Sequence, residues 1–236
     1  MTGTKSFAPR DYLDLSKIRF PDLFPADQPA WTALGRLKAF FAEHARSEIR
    51  GRVSPQASIS GEVFIDEGTV VEPGAVIKGP AMIGKNCEIR TGAYLRGQVL
   101  VGDSCVLGNS CEFKNAILFD EATVPHFSYV GDSIVGFHAH LGAGVILSNV
   151  KLIPGNVEVV TEKERIDTGL RKFGGLVGDR AEIGCGCILN PGSVIGPRAL
   201  LYPNLSWRGV CPADSVVKLK QEFQVTSKRT APSAKS

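Results

Sequence analysis

The stretch VEPGAVIKGPAMIGKNCEIRTGAYLRGQVLVGDSCVL, Val71 to Leu107, carries an aliphatic residue at every sixth position: Val71, Ile77, Ile83, Ile89, Leu95, Val101 and Leu107. The beat extends back through Ile65 and Ile59 to Val53 and forward to Phe113 and Phe119, twelve successive positions. Four residues after each sits a second, mostly small side chain: Ala57, Val63, Thr69, Ala75, Ala81, Cys87, Ala93, Val99, Cys105, Cys111, Ile117 and Thr123. Both sets are expected to face inward. A period of six fits neither a helix nor the alternation of a flat strand, but it fits a solenoid whose short strands turn a corner after each hexad. The fold class read from it is mainly β, a parallel β-helix of hexapeptide repeats. Gly84, Gly102 and Gly108 follow inward aliphatics, where a corner is expected to need unusual dihedrals. The phase returns at Val177, Ile183, Leu189, Ile195, Leu201 and Trp207.

The hexads also account for the cysteines. Cys87, Cys105, Cys111, Cys187 and Cys211 all fall in the small inward slot, and only Cys185 breaks the pattern. They read as packing residues in a reduced compartment rather than a disulfide framework or a zinc site. No metal ligands are expected.

Three hexads make one coil of a triangular solenoid, so residues eighteen apart stack at about 4.8 Å, the spacing of neighbouring strands. Lys78, Arg96 and Lys114 are spaced in this way and each follows an inward aliphatic, so they form an outward ladder of cations. Stacked cations repel, and a bridging anion such as a phosphate relieves that repulsion. After Phe119 the next inward position, 125, is proline, and the beat resumes at Val130 and again at Val135, one residue early each time. Two one-residue deletions are therefore expected to flank PHFSYVGDSI, with His126 in the kink between them. Such irregularities are found beside functional sites.

Outward from the repeats, residues 1–52 read as an irregular arm and a docking helix. Asp27 is its expected cap, Pro29 lies in its first turn, Trp31, Leu34, Leu37 and Phe41 share one face, and Gly51 is its stop. Residues 53–217 form the β-helix, with an inserted loop near 150–172, and residues 218–236 form a basic tail. The insert carries Glu162, Lys163, Glu164 and Arg165 and is expected to project as a mobile loop. The 236 residues are 43% hydrophobic and 22% charged, enough for a substantial core. A net charge of +3 gives no nucleic-acid footprint, and no apolar run is long enough to suggest a membrane span or a signal peptide. The expected location is cytoplasmic.

The string GNSCEFKNAILFDEATVPHFSYVGDSIVGFHAHLGAGVILSN, Gly108 to Asn149, resembles the acetyltransferase half of the bifunctional glucosamine-1-phosphate acetyltransferase/N-acetylglucosamine-1-phosphate uridylyltransferase family. The His-x-x-Tyr-x-Gly-Asp core, His126 to Asp132, is its specific part, and the resemblance spans roughly Gly92 to Trp207. It implies a left-handed parallel β-helix, a homotrimer, and clefts between neighbouring subunits that take acetyl-CoA and an amino-sugar phosphate. By matching position His126 is the general base, and the N–H of Ala143 is the donor to the thioester oxygen. Arg96 and Lys114 hold the sugar phosphate, Tyr129 contacts the sugar, and Lys172 is a further substrate lysine. Asn149 lies near the coenzyme.

The chain differs from that family at several positions. His140 stands where the family has a sugar-contacting asparagine, and Cys185 where it has a serine near the coenzyme. The insert replaces a short Tyr-Asp-Gly loop. Nothing in residues 1–52 resembles the family's nucleotide loop, so uridylyl transfer is not expected. A zinc carbonic anhydrase triad is disfavoured by the placement of His44, His138 and His140. The competing reading is a non-catalytic sugar-phosphate or nucleotide-sugar binding scaffold.

Overall fold

In the computed structural model, which describes residues 7–228, the hexads wind into a parallel solenoid with three faces. The first face is a nine-stranded parallel sheet from Arg52–Val53 to Val216–Val217. The second runs from Ser58–Ser60 to Ser206–Trp207, and the third from Glu48–Ile49 to Val210–Cys211. Ile59 pairs with Ile77 and Ile77 with Leu95, one coil of eighteen residues each time. The inward side chains fill a single apolar core in which Ile77, Ile83, Ile89, Leu95 and Leu107 are fully buried. Cys87, Cys105, Cys111, Cys187 and Cys211 are buried and unbonded to one another, while Cys185 is exposed.

The irregularity lies elsewhere than the sequence suggested. Val101 pairs with Leu118, seventeen residues on, so the first residue is lost between Phe113 and Ala116 and not at Pro125. The second is lost between Val130 and Ser133, since Leu118 pairs with Val135. At both places one residue turns the corner: Asn115 at φ 48° and Asp132 at φ 47°. The strands Glu112–Leu118 and Tyr129–Val135 therefore pass unbroken from the second face to the third, joining those faces into one sheet. Ala116, Leu118, Ala122 and Val124 point inward, whereas Ile117 and Phe119 point outward into a second apolar cluster and Thr123 lies outside the core. His126 thus ends a regular strand, Thr123–His126, and is not in a kink.

Gly84, Gly102 and Gly108 are required for a reason other than dihedrals. None has a positive φ; instead the next coil's backbone lies against each, and a Cβ on Gly102 would meet the Asp120 nitrogen at 2.6 Å.

The third face carries an outward apolar column, Phe64, Met82, Leu100, Ile117, Ile134, Leu176 and Val194, which the N-terminal residues cover. The arm descends the corner between the third and first faces. Asp179 N–H donates to Tyr12 C=O, Asp120 N–H to Lys17 C=O, and Arg19 pairs with the buried Asp66 at 2.7 Å. The helix Thr32–His44 then lies over the column, burying Leu34, Leu37, Phe40 and Phe41, with Trp31 packed on Phe173. It is shorter than expected at both ends. Turns at Pro29 to Trp31 precede it in place of an Asp27 cap, and Ala45 turns extended so that Glu48 can pair with Phe64.

The insert is a packed hairpin rather than a mobile loop. Glu158–Val160 pairs antiparallel with Arg165–Asp167, and the alternation of Val157 and Val159 buries both against the third-face cluster. The turn, Glu162 to Glu164, remains exposed, as do Arg165, Asp167 and Gly169 beyond it and Leu152, Ile153 and Pro154 in the approach.

Candidate active site

The second face has two edges, and the expected site residues divide between them. Along the edge shared with the third face, Asp132 is the centre. Its one-residue corner turns the carboxylate into a nearly dry position with 5% of the residue exposed. Lys114 Nζ donates to it at 3.1 Å, Asn115 Nδ2 at 2.8 Å, and Asn149 Nδ2 by a further short bond. Asn149 also donates to the Tyr129 hydroxyl at 3.2 Å, and its own carbonyl is held by Phe173 N–H at 3.0 Å. A buried carboxylate ringed by a cation and two amides is fully satisfied, so it fixes Lys114, Asn149 and Tyr129 in one geometry. The Tyr129 phenol lies over Gly131, whose missing side chain leaves it room. Burial, and then the charges of Glu112 and Asp132, push the phenol above its ordinary range, so it stays a neutral hydrogen-bonding group.

The cation ladder is in register: Lys78 pairs with Arg96, and Leu95 with Phe113, which sets Arg96 beside Lys114. Each rung has an electronegative neighbour. Arg96 is bound to Glu112 at 2.5 Å, Lys114 to Asp132, and Lys78 stands 5.2 Å from the Tyr94 ring. Repulsion along the ladder is thus offset within the chain. Lys172 is exposed on the same corner, one residue before Phe173.

The edge shared with the first face holds His126, Ala143 and Cys185 on three successive coils. Gly144 N–H donates to His126 C=O at 3.0 Å, and Gly186 N–H to Ala143 C=O at 2.8 Å, so the corners stack directly. The His126 imidazole is exposed and makes no side-chain hydrogen bond or ion pair among the described residues; the Phe127 ring, at φ 51° and 61% exposed, is tilted beside it at 6.3 Å. Ala143 N–H, at the turn above, meets no acceptor among the described residues. A free ring nitrogen below a free amide is an arrangement that can accept a proton and steady a developing oxyanion.

The two edges are separated by the strand that begins at Tyr129, so one chain does not bring His126 to Lys114 and Arg96. His140 joins neither group: it lies on the outer surface of the first face with Nδ1 2.8 Å from Thr123 Oγ1. His44 stacks on Phe40, and His138 pairs with Glu121. Sequence reasoning gave no role to Asp132, Asn115 or Glu112. Asp132 sat in plain view in the His-x-x-Tyr-x-Gly-Asp core, and the loss of one residue beside Asn115 was the usable signal for the rest.

Residues 78–166 match the family described as the GMPPB C-terminal domain. The chain is 37% identical over 199 residues to the bifunctional protein GlmU of Methanococcus maripaludis strain C5, covering 84% of this chain and 48% of that one. It is 34% identical over 94 residues to the bifunctional sugar-1-phosphate nucleotidylyltransferase/acetyltransferase of Sulfurisphaera tokodaii, covering 40% and 23%. The chain thus spans about half the length, or less, of these curated relatives. Among solved structures, a UDP-N-acetylglucosamine acyltransferase aligns over 71% of each chain with 14% identity and a TM-score of 0.35.

Proposed function

We propose that this chain, which belongs with the acetyltransferase half of the GlmU proteins, is an acetyl-CoA-dependent N-acetyltransferase acting on an amino-sugar phosphate resembling glucosamine-1-phosphate, as a cytoplasmic homotrimer. The observation that carries the reading is the stacking of His126, whose ring nitrogens have no hydrogen-bond partner among the described residues, beneath an Ala143 N–H that meets no acceptor among them, on adjacent coils.

Acetyl-CoA supplies the acetyl group as a thioester and leaves as a thiol. The sugar's free amine attacks the carbonyl carbon, and the His126 ring accepts the proton that this nitrogen loses as the N–C bond forms and the C–S bond breaks. Ala143 N–H donates to the carbonyl oxygen as negative charge develops there. His126, then protonated, returns the proton to the departing sulfur. Tyr129, held by Asn149, faces the sugar, and Lys114 and Arg96 receive the phosphate, exchanging part of their carboxylate contacts for it. Asn149 and Cys185 line the coenzyme's side, and Lys172 adds a cation at the clamp. His140, engaged by Thr123, is assigned no contact with the sugar.

Because His126 and the clamp occupy opposite edges of the second face, a complete site is best supplied by two protomers, with the His126 edge of one against the Lys114 edge of another. Exposed Phe127 and Ile188 are suited to such a contact. The test is release of free thiol from acetyl-CoA across a panel of amino-sugar phosphates, with light scattering on the same sample. Turnover by a trimer supports the reading. A scaffold that binds sugar phosphate but releases no thiol with any member of the panel overturns it.

A further inference from the structure

The cation ladder does not stop at Lys114. Lys114 pairs with Gly131, and the pairings Val130 with Leu147, Leu147 with Leu189, and Leu189 with Trp207 carry the same outward column on through Ser148, Asn190 and Arg208. Arg208 stands four strand spacings from Lys114, about 19 Å along the axis.

The upper half of this column is the floor of a cavity of about 640 Å³ that the insert walls off. Its polar groups are Ser148, Lys151, Arg165, Asn190 and Arg208, with Glu158 the single acid. Arg165 is paired with Glu158 at 3.4 Å, and Lys151 gives one N–H to Asn156 C=O. Arg208 has no side-chain partner among the described residues. The other wall is apolar: Val150, Leu152, Ile153 and Pro191, with Leu152 wholly exposed on the rim.

An anion gains most where a cation has no carboxylate beside it. At the lower end, Arg96 and Lys114 are both paired, whereas at the upper end two cations exceed the acids, and the space is of the size that takes a small organic ligand. A monophosphate seated at Lys114 leaves this cavity unused. A diphosphate in reach of Arg208 and Lys151, followed by a flat ring against Leu152, Ile153 and Pro191, fills it. We infer that the insert-walled cavity binds a nucleoside diphosphate group, so that a nucleotide-linked amino sugar, its sugar toward Tyr129, is taken as acceptor beside the free sugar phosphate held at Lys114. This deepens the acetyltransferase reading and rests on it for the sugar, while the nucleotide contact stands by itself.

The test is calorimetric titration of the full chain with UDP alone, without acetyl donor or amine, alongside Arg208→Ala and Lys151→Ala. Saturable binding that weakens at least tenfold in Arg208→Ala, and less in Lys151→Ala, is the expected result. No binding at millimolar UDP, or an affinity unchanged by Arg208→Ala, overturns the site. Coenzyme A carries a nucleoside diphosphate of its own, so it is titrated in a second arm. If coenzyme A displaces UDP and loses the same factor in Arg208→Ala, the cavity serves the donor, and its assignment to the acceptor falls. If no amino sugar is acetylated although UDP binding depends on Arg208, the transferase reading fails and the cavity's role remains. If glucosamine-1-phosphate is acetylated while Arg208→Ala binds UDP normally, the converse holds.

Discussion

His126 and Lys114 sit on opposite edges of one face, and their substitutions are expected to separate turnover from binding. His126→Ala removes an exposed ring that makes no side-chain hydrogen bond among the described residues and touches only the exposed Phe127 ring, so folding should be untouched. Turnover should fall by about two to four orders of magnitude, with sugar-phosphate affinity nearly constant; retention of full acetyl transfer makes His126 a bystander. Lys114→Ala should do the reverse, weakening sugar-phosphate binding about tenfold, or roughly 1.4 kcal/mol. It should also lower the melting temperature, because Asp132 then keeps a buried charge with only the amides of Asn115 and Asn149 to meet it. Comparing an amino sugar with and without phosphate reads the two effects apart. At this scale the period of eighteen marked Lys114 as a candidate, while His126, Tyr129 and Ala143 were named through the family resemblance of the short motifs that hold them. Asp132 was visible but mute: its burial and its three donors depend on a corner that no period of six describes. Glu112 was hidden for a related reason, since it meets Arg96 only across the coil, sixteen residues away.

The elements that carry the site are two seven-residue strands bent through a single left-handed residue each. Asn115→Ala should destabilise, since alanine keeps the Cβ that crowds the carbonyl at positive φ, a cost of up to about 1 to 2 kcal/mol, and lacks the polar side chain that lets asparagine tolerate it. The lost bond to Asp132 adds to that. Asn115→Gly keeps the backbone and loses only the bond, so thermal denaturation should rank wild type above glycine and glycine above alanine. Equal loss in the two variants would show that φ is not the cost. The sequence displayed both deletions but misplaced the first by several residues, because Phe119 is apolar and continues the beat although it packs outward on Phe24. Hydrophobic periodicity does not tell an inward residue from one buried under the arm. The hairpin of the insert was misread for the opposite reason. Its charged turn dominated the composition, while Val157 and Val159, two positions with strand alternation, carry the packing.

On the scale of the whole molecule the arm and helix form the lid of the third face, and one arm group reports on it. Burial, and then the charge of Asp11, push the Tyr12 phenol up to about 12 from 10.0. The folded state therefore holds this proton more tightly than the unfolded state does. The resulting stability is fully present below pH 10 and is lost as pH rises through about 12. Denaturant midpoints measured across that window should fall with pH in the wild type and less steeply in Tyr12→Phe; parallel slopes would assign the alkaline loss to other groups. The repeat made the solenoid legible, and the helical spacing of Trp31, Leu34, Leu37 and Phe41 did the same for the apolar face of the helix. The route of the arm was not, because it is fixed by contacts between residues far apart in the chain, the backbone bonds from Asp120 and Asp179 to Lys17 and Tyr12 and the pair of Arg19 with Asp66.

That route has a consequence for how the molecule comes apart. A solenoid in which each coil touches only its neighbours behaves as a one-dimensional chain, free to fray from either end and to unfold in stages. Here a single segment is bonded to Asp179 near the top and to Asp66 near the bottom, and a helix lies over the coils between. Losing one terminal coil therefore loosens the strap over all the others. The arm turns an array of nearly independent rungs into one cooperative unit, and it has its full docking surface only once the upper coils are wound.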